Sequence, residues 1–137
     1  MTAKEYLLQI ENLTNRIKEQ EEYIQRLKDS LSIAGISYDK DRVQTSPDPD
    51  KFCHIFAQID EQEKVLEDMK TKLVNVRVKS LNIIHKIEDD RYRRILTTIY
   101  VDMRSLKKAA NILSFSYDYM KELHQEALNA FSENFPP

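Results

Sequence analysis

Ser105-Leu-Lys-Lys-Ala-Ala-Asn-Ile-Leu-Ser-Phe-Ser-Tyr-Asp-Tyr-Met-Lys-Glu-Leu-His124 is the stretch that decides how this chain folds. At helical spacing Ala109 and Ala110 are small where two helices cross closely, and Leu113, Met120 and Leu123 close an inner core. Ser105 and Ser116 stand where side-chain oxygens would cap two helix starts, and Ser114-Phe115 makes the turn between them. Small residues, an apolar residue, a tight turn, then two apolar residues three apart is the packing pattern of a helix-turn-helix. Ala127, Leu128 and Phe131 prolong the apolar face, so the last helix is predicted to run from Ser116 through Phe131. Upstream, Asp89 or Asp90 is a candidate cap for a helix over Arg91–Met103, with Ile95, Leu96, Ile99 and Met103 on one face.

The rest of the chain has a different period. Thr2 and Glu5 have capping-box spacing, which starts a first helix at the N-terminus. Tyr6, Ile10, Leu13, Ile17, Gln20, Ile24, Leu27 and Leu31 then alternate in steps of four and three, a heptad seam with one polar member. The helix is predicted to stop near Ala34, with Gly35 in the left-handed cap position. A loop over 35–50 follows, with Pro47 and Pro49 in it or in a first helical turn and Ser46 or Asp48 as cap. A second seam runs Phe52, Ile55, Ile59, Gln62, Leu66, Met69, Leu73, Val76, Ser80, Ile83, Ile87. Two such seams predict a long antiparallel coiled-coil hairpin over 1–87, with a helix-turn-helix domain over 88–137. Gln20 and Gln62 fall at the same level of that hairpin, so they are predicted to hydrogen-bond across it and set its register. Two seams alone bury little, so either the C-terminal third packs on the hairpin or the hairpin self-associates, and of the two a homodimer through the hairpin is the expectation.

Composition bounds the chemistry. Of 137 residues 32% are charged and one is glycine, with 21 Lys and Arg against 23 Asp and Glu. Net charge therefore selects neither nucleic acid nor membrane as a partner. Cys53 stands alone, which excludes an internal disulfide and fits a reducing compartment. The N-terminus runs straight into charged helix, and no apolar run approaches the roughly 20 residues of a membrane span. The expectation is a cytoplasmic protein. His54, His85 and His124 lie too far apart to make a metal set, and one glycine cannot build a phosphate loop. Glu61, Glu63, Glu67 and Asp68 read as the outer face of a coiled coil. Neither catalysis, nor a metal, nor a cofactor is expected.

Charge is unevenly placed. Between Met69 and Lys108 eleven Lys and Arg stand against Glu88, Asp89, Asp90 and Asp102. Arg93, Arg94, Arg104, Lys107 and Lys108 are candidates for gripping DNA phosphates, or simply part of a solvated face. The final helix offers Ser116, Tyr117, Tyr119, Lys121 and His124 as candidates for touching bases. The tyrosines are equally credible as rim packing, and His124 as a helix-surface residue beside Leu123. Its other exposed positions include Asp118, Glu122 and Glu126, which a phosphate-lined groove repels.

Met1-Thr-Ala-Lys-Glu-Tyr-Leu7, Asp41-Arg-Val-Gln-Thr-Ser46, Ile87-Glu-Asp-Asp-Arg-Tyr-Arg93, Ser114-Phe-Ser-Tyr117 and Leu123–Phe131 together resemble a family of small phage and prophage proteins of Gram-positive bacteria. Members of that family resemble region 4 of sigma-70-type factors, and the related ArpU and RinA proteins regulate phage late transcription. The resemblance implies an all-α, sigma-region-4-like regulator that binds promoter DNA. The alternative it leaves is a module that binds RNA polymerase or a sibling regulator and inhibits or redirects it. Family members carry Gly where Ser114 stands. If this turn needs a left-handed residue, Ser costs on the order of 1 kcal/mol there. They also carry a basic and amide pair where Asp118 and Tyr119 stand.

Overall fold

The computed structural model describes residues 1–37 and 49–135, and every regular element among them is helical. The order is α1 (Ala3–Ile33), α2 (Pro49–His85), α3 (Asp90–Leu96), a π-helical turn (Thr97–Val101), α4 (Leu106–Leu113) and α5 (Tyr117–Asn134). No helix among the described residues is long and apolar enough to cross a membrane. The proposed caps Ser46 and Asp48, the loop proline Pro47 and the segment Asp41–Ser46 lie outside the described residues.

Helix ends follow from side chains. The Thr2 and Glu5 capping box forms in both directions, Glu5 N donating to Thr2 Oγ1 at 3.1 Å and Thr2 N to Glu5 Oε2 at 3.2 Å. At the other end of α1, Gly35 takes φ +79°. Gly35 N then donates to Ser32 O and Ile36 N to Leu31 O, the two bonds of a Schellman cap. Asp89 caps α3, Ser105 caps α4 and Ser116 caps α5.

The chain divides into two compact units, Met1–Thr14 with Lys72–Pro137, and Asn15–Thr71. These bounds fall differently along the chain from 1–87 and 88–137, because α1 and α2 each run through both units. In the first unit α3 packs chiefly on α5, and α4 closes against both. Its core joins Leu7 and Ile10 of α1, Ile83 and Ile87 of α2 and its flank, Ile95 and Leu96 of α3, Ala109 and Ala110 of α4, and Met120, Leu123, Ala127 and Phe131 of α5. In the second unit Ile24, Leu31 and Ile36 meet Phe56 and Ile59. There Gln20 pairs with Gln62 and Tyr23 with Gln58, so partner numbers fall on α2 as they rise on α1 and the two stretches run in opposite directions. Gln20 Nε2 donates to Gln62 Oε1 at 2.9 Å and to Gln62 O at 3.0 Å. The cross-helix pair is thus present.

One predicted helix is corrected. Arg91–Met103 is not a continuous α-helix: after Leu96 the chain widens into the π-helical turn, with Asp102 N donating back to Thr97 O. Each π turn takes up about one residue more than an α turn, so every later side chain is rotated off its α position. Tyr100 and Val101 are therefore buried, while Met103 is 41% exposed and leaves the helix with φ +56°. Arg104 N donates to Thr98 O across it, so Met103 serves as the left-handed cap that glycine usually supplies.

Candidate nucleic-acid interface

The segment from Ser105 to Lys121 is shaped by three local decisions. Ser105 Oγ accepts from Lys108 N at 3.2 Å, which opens α4. Ser114 closes it with φ +61° and ψ +37°, and Phe115 N donates to Ala110 O at 2.9 Å. Ser116 Oγ then accepts from Tyr119 N at 3.2 Å and opens α5. The turn does require a left-handed residue, and Ser114 occupies that region at the cost a Cβ imposes there, about 1 kcal/mol.

Of the candidate phosphate-gripping residues, Arg93 is committed internally. Its guanidinium donates to the Ile87 and Glu88 carbonyls and pairs with Asp90 at 3.2 Å, tying the α2–α3 connection. Arg94 is exposed, with Nε 3.8 Å from Asp90 Oδ2. Arg104, Lys107 and Lys108 are exposed, and no carboxylate stands between Asp102 and Asp118. Lys107 and Lys108 lie in the first turn of α4, which has no acidic residue. That end carries the partial positive charge of the helix dipole, so the lysines add to it.

The candidates on α5 are differently placed. Lys121 Nζ sits 4.5 Å from the Tyr117 ring centroid, and both side chains face solvent beside the Ser116 cap. Tyr119 is half-committed. Its hydroxyl accepts from Arg91 Nη1 at 2.7 Å, and its ring meets Phe115 edge-on with centroids 5.4 Å apart. Arg91 also grips Asp89, holding that carboxyl below the usual carboxylate range. His124 is half-buried, with Nε2 2.6 Å from the Tyr100 hydroxyl. Burial, reinforced by the charge of Lys4, lowers the His124 pKa, and burial pushes the Tyr100 hydroxyl up to about 12. The hydrogen bond with the Tyr100 hydroxyl thus engages His124 Nε2, and that nitrogen is not free to reach a base.

The structure thus groups Tyr117 with Lys121, and Tyr119 with Arg91. Arg104, Lys107 and Lys108 share no hydrogen bond, ion pair or ring contact with either pair. Asp118 and Glu122 are exposed on α5, and Glu126 accepts from the Tyr92 hydroxyl at 2.8 Å. Two partners were missed from sequence. Arg91 counted only as one basic charge among eleven, and Tyr100 was hidden by the wrong helical register. Among the described residues no three His, Cys, Asp or Glu side chains are placed to hold a metal ion. Comparison with family models, with curated proteins and with solved structures gives no match.

Proposed function

We propose that this chain is a phage-type transcription regulator, cytoplasmic and without catalytic activity, whose α4–turn–α5 segment works as a helix-turn-helix on promoter DNA. The seams of α1 and α2 form an antiparallel coiled-coil hairpin that supports a homodimer. Binding is led by phosphates at the start of α4. The observation that carries this reading is the exposure of Lys107 and Lys108 at the positive end of α4, with Arg104 beside them and no carboxylate in the turn. Lysines there work against the helix dipole, and an anion at the same place is drawn by both. Base reading by α5 is the weaker part, since Tyr119 and His124 already have partners.

Exposed Asp118 and Glu122 favour a second reading, in which α5 meets a basic surface of RNA polymerase or a sibling regulator. Fluorescence anisotropy with a mixed-sequence duplex across a salt series separates the two. Three phosphate contacts predict a slope of log affinity on log salt near about −3. Lys107→Glu with Lys108→Glu should abolish that binding and leave the melting temperature unchanged or slightly higher, because glutamates suit a helix start. No binding at about 0.05 M salt would remove the DNA reading, and binding to purified polymerase would then establish the second.

A further inference from the structure

The Tyr119 hydroxyl is used on one side only. Its oxygen accepts from Arg91 Nη1 at 2.7 Å, and among the described residues that hydroxyl makes no other hydrogen bond. A phenol that accepts still has its own O–H to donate. Arg91 is in the same position. Asp89 takes its Nε–H and one N–H of Nη2, and Tyr119 takes one N–H of Nη1. Each terminal nitrogen carries a second N–H, so one O–H and two N–H donors are unspent on this pair. Both side chains reach solvent, Tyr119 at 39% and Arg91 at 46% exposure. The pair is also held in place. Asp89 grips the guanidinium through both carboxylate oxygens, the Tyr92 ring centroid lies 5.7 Å from it, and Phe115 meets the Tyr119 ring edge-on.

Adjacent unspent donors call for a group that only accepts, and an oxyanion is such a group. Accepting from a cation polarises the Tyr119 hydroxyl, which makes its O–H the stronger donor. Net charge does not draw an anion here, since Asp89 offsets Arg91 and Asp118 is exposed next to Tyr119. A free phosphate is therefore a poor occupant, while a phosphate of a duplex already gripped by Lys107 and Lys108 is a good one. We propose that Tyr119 and Arg91 together clamp one phosphodiester group of duplex DNA, so that Tyr119 touches the backbone and not a base. The contact fixes position rather than reading sequence, as neutral donors to phosphate do. It rests on the DNA reading of the proposed function and extends the contact from α4 to the junction of α3 with α5.

Tyr119→Phe tests it with little disturbance, because the ring and its contact with Phe115 stay and only the hydroxyl goes. Anisotropy of the full chain with two mixed-sequence duplexes of unrelated sequence is the measurement. The expected result is a loss of affinity of about five- to tenfold, the same on both duplexes, with the melting temperature unchanged. The slope of log affinity on log salt should not move, since no charge is removed; Lys107→Glu, by contrast, should make it shallower. Tyr92→Phe is the matched control: that hydroxyl already donates to Glu126, so its removal should leave affinity as it was. Wild-type affinity in Tyr119→Phe overturns this proposal and leaves the DNA reading standing. A loss confined to one duplex overturns it too, because it assigns Tyr119 to a base. An equal loss in Tyr92→Phe does the same, by showing that the α3–α5 contact acts only through the fold. No binding by the wild type at about 0.05 M salt removes the DNA reading and this proposal with it.

Discussion

The two compact units solve one problem at different depths. The first gathers twenty buried residues, drawn from all five helices and the π-helical turn, into one cluster. Among the described residues the second unit's cluster has five, Ile24, Leu31, Ile36, Phe56 and Ile59, shared between two helices and the turn after α1. Two helices enclose only the strip between them, while a third layer lets side chains be surrounded. The first unit therefore packs small against large, Ala109, Ala110 and Ala127 at zero to three per cent exposure beside Phe131 at zero. The second relies on one apolar strip interrupted by a bonded polar pair.

The largest expected effect breaks this comparison most directly. Phe131→Ala removes a fully enclosed ring that stacks near Phe135 and Tyr6, and should cost about 3–5 kcal/mol. Ile59→Ala removes a side chain that is just as buried, but from a layer thin enough to close over the gap. About 2 kcal/mol is expected, the low end for such truncations. Urea unfolding of both variants checks the ratio. Equal losses would mean that the second unit is as tightly enclosed as the first.

The polar exceptions in the α2 seam sharpen the contrast, with opposite signs. Gln62→Leu takes away the side-chain acceptor of Gln20 Nε2 in the second unit and should lower stability by about 1 kcal/mol. It should also broaden the distance between labels placed at Tyr23 and Gln58, since the pair that fixes register is gone. An unchanged, narrow distance would show that the apolar strip sets register unaided. Ser80 in the first unit is fully buried, and its Oγ has no hydrogen-bond partner. Ser80→Ala deletes that unmet group at the loss of one atom, so stability should rise, by less than about 1 kcal/mol. A fall in melting temperature would show that the hydroxyl is satisfied in solution.

How much of this was legible follows from what each feature depends on. The capping box at Thr2, the glycine cap at Gly35, the serine caps and the Gln20–Gln62 pair all depend on spacing along one or two helices, and spacing is what a sequence displays. The π-helical turn depends on how α3 fits against α5 and α4. No residue type in Thr97–Val101 announces it, and missing it displaced Met103 and concealed Tyr100. Phe56 and Ile84 are buried beside the seam rather than on it, because these helices bury a band wider than a strict heptad line. In the candidate interface, exposure of Lys107 and Lys108 was readable from their place in the first turn of a capped helix. The engagement of His124 and Tyr119 was not, since Tyr100 and Arg91 reach them from 24 and 28 residues away.

The smallest effect concerns that histidine and the first unit alone. Burial beside Tyr100 and the charge of Lys4 make His124 harder to protonate in the fold than in the unfolded chain. Below the ordinary histidine value, about 6.5, the unfolded chain binds a proton that the fold still refuses. The stabilising contribution is therefore complete above that pH and is lost as pH falls from it through the lower folded value. One half-buried ring supplies the effect, so it should appear as a modest acid-side slope in the urea midpoint. His124→Gln should flatten that slope, while retaining an amide within reach of the Tyr100 hydroxyl. A slope that survives in His124→Gln would assign it to carboxylates instead. A midpoint that rises as the wild type is acidified through this range would mean that the ring is charged in the fold, with the Tyr100 oxygen as its acceptor.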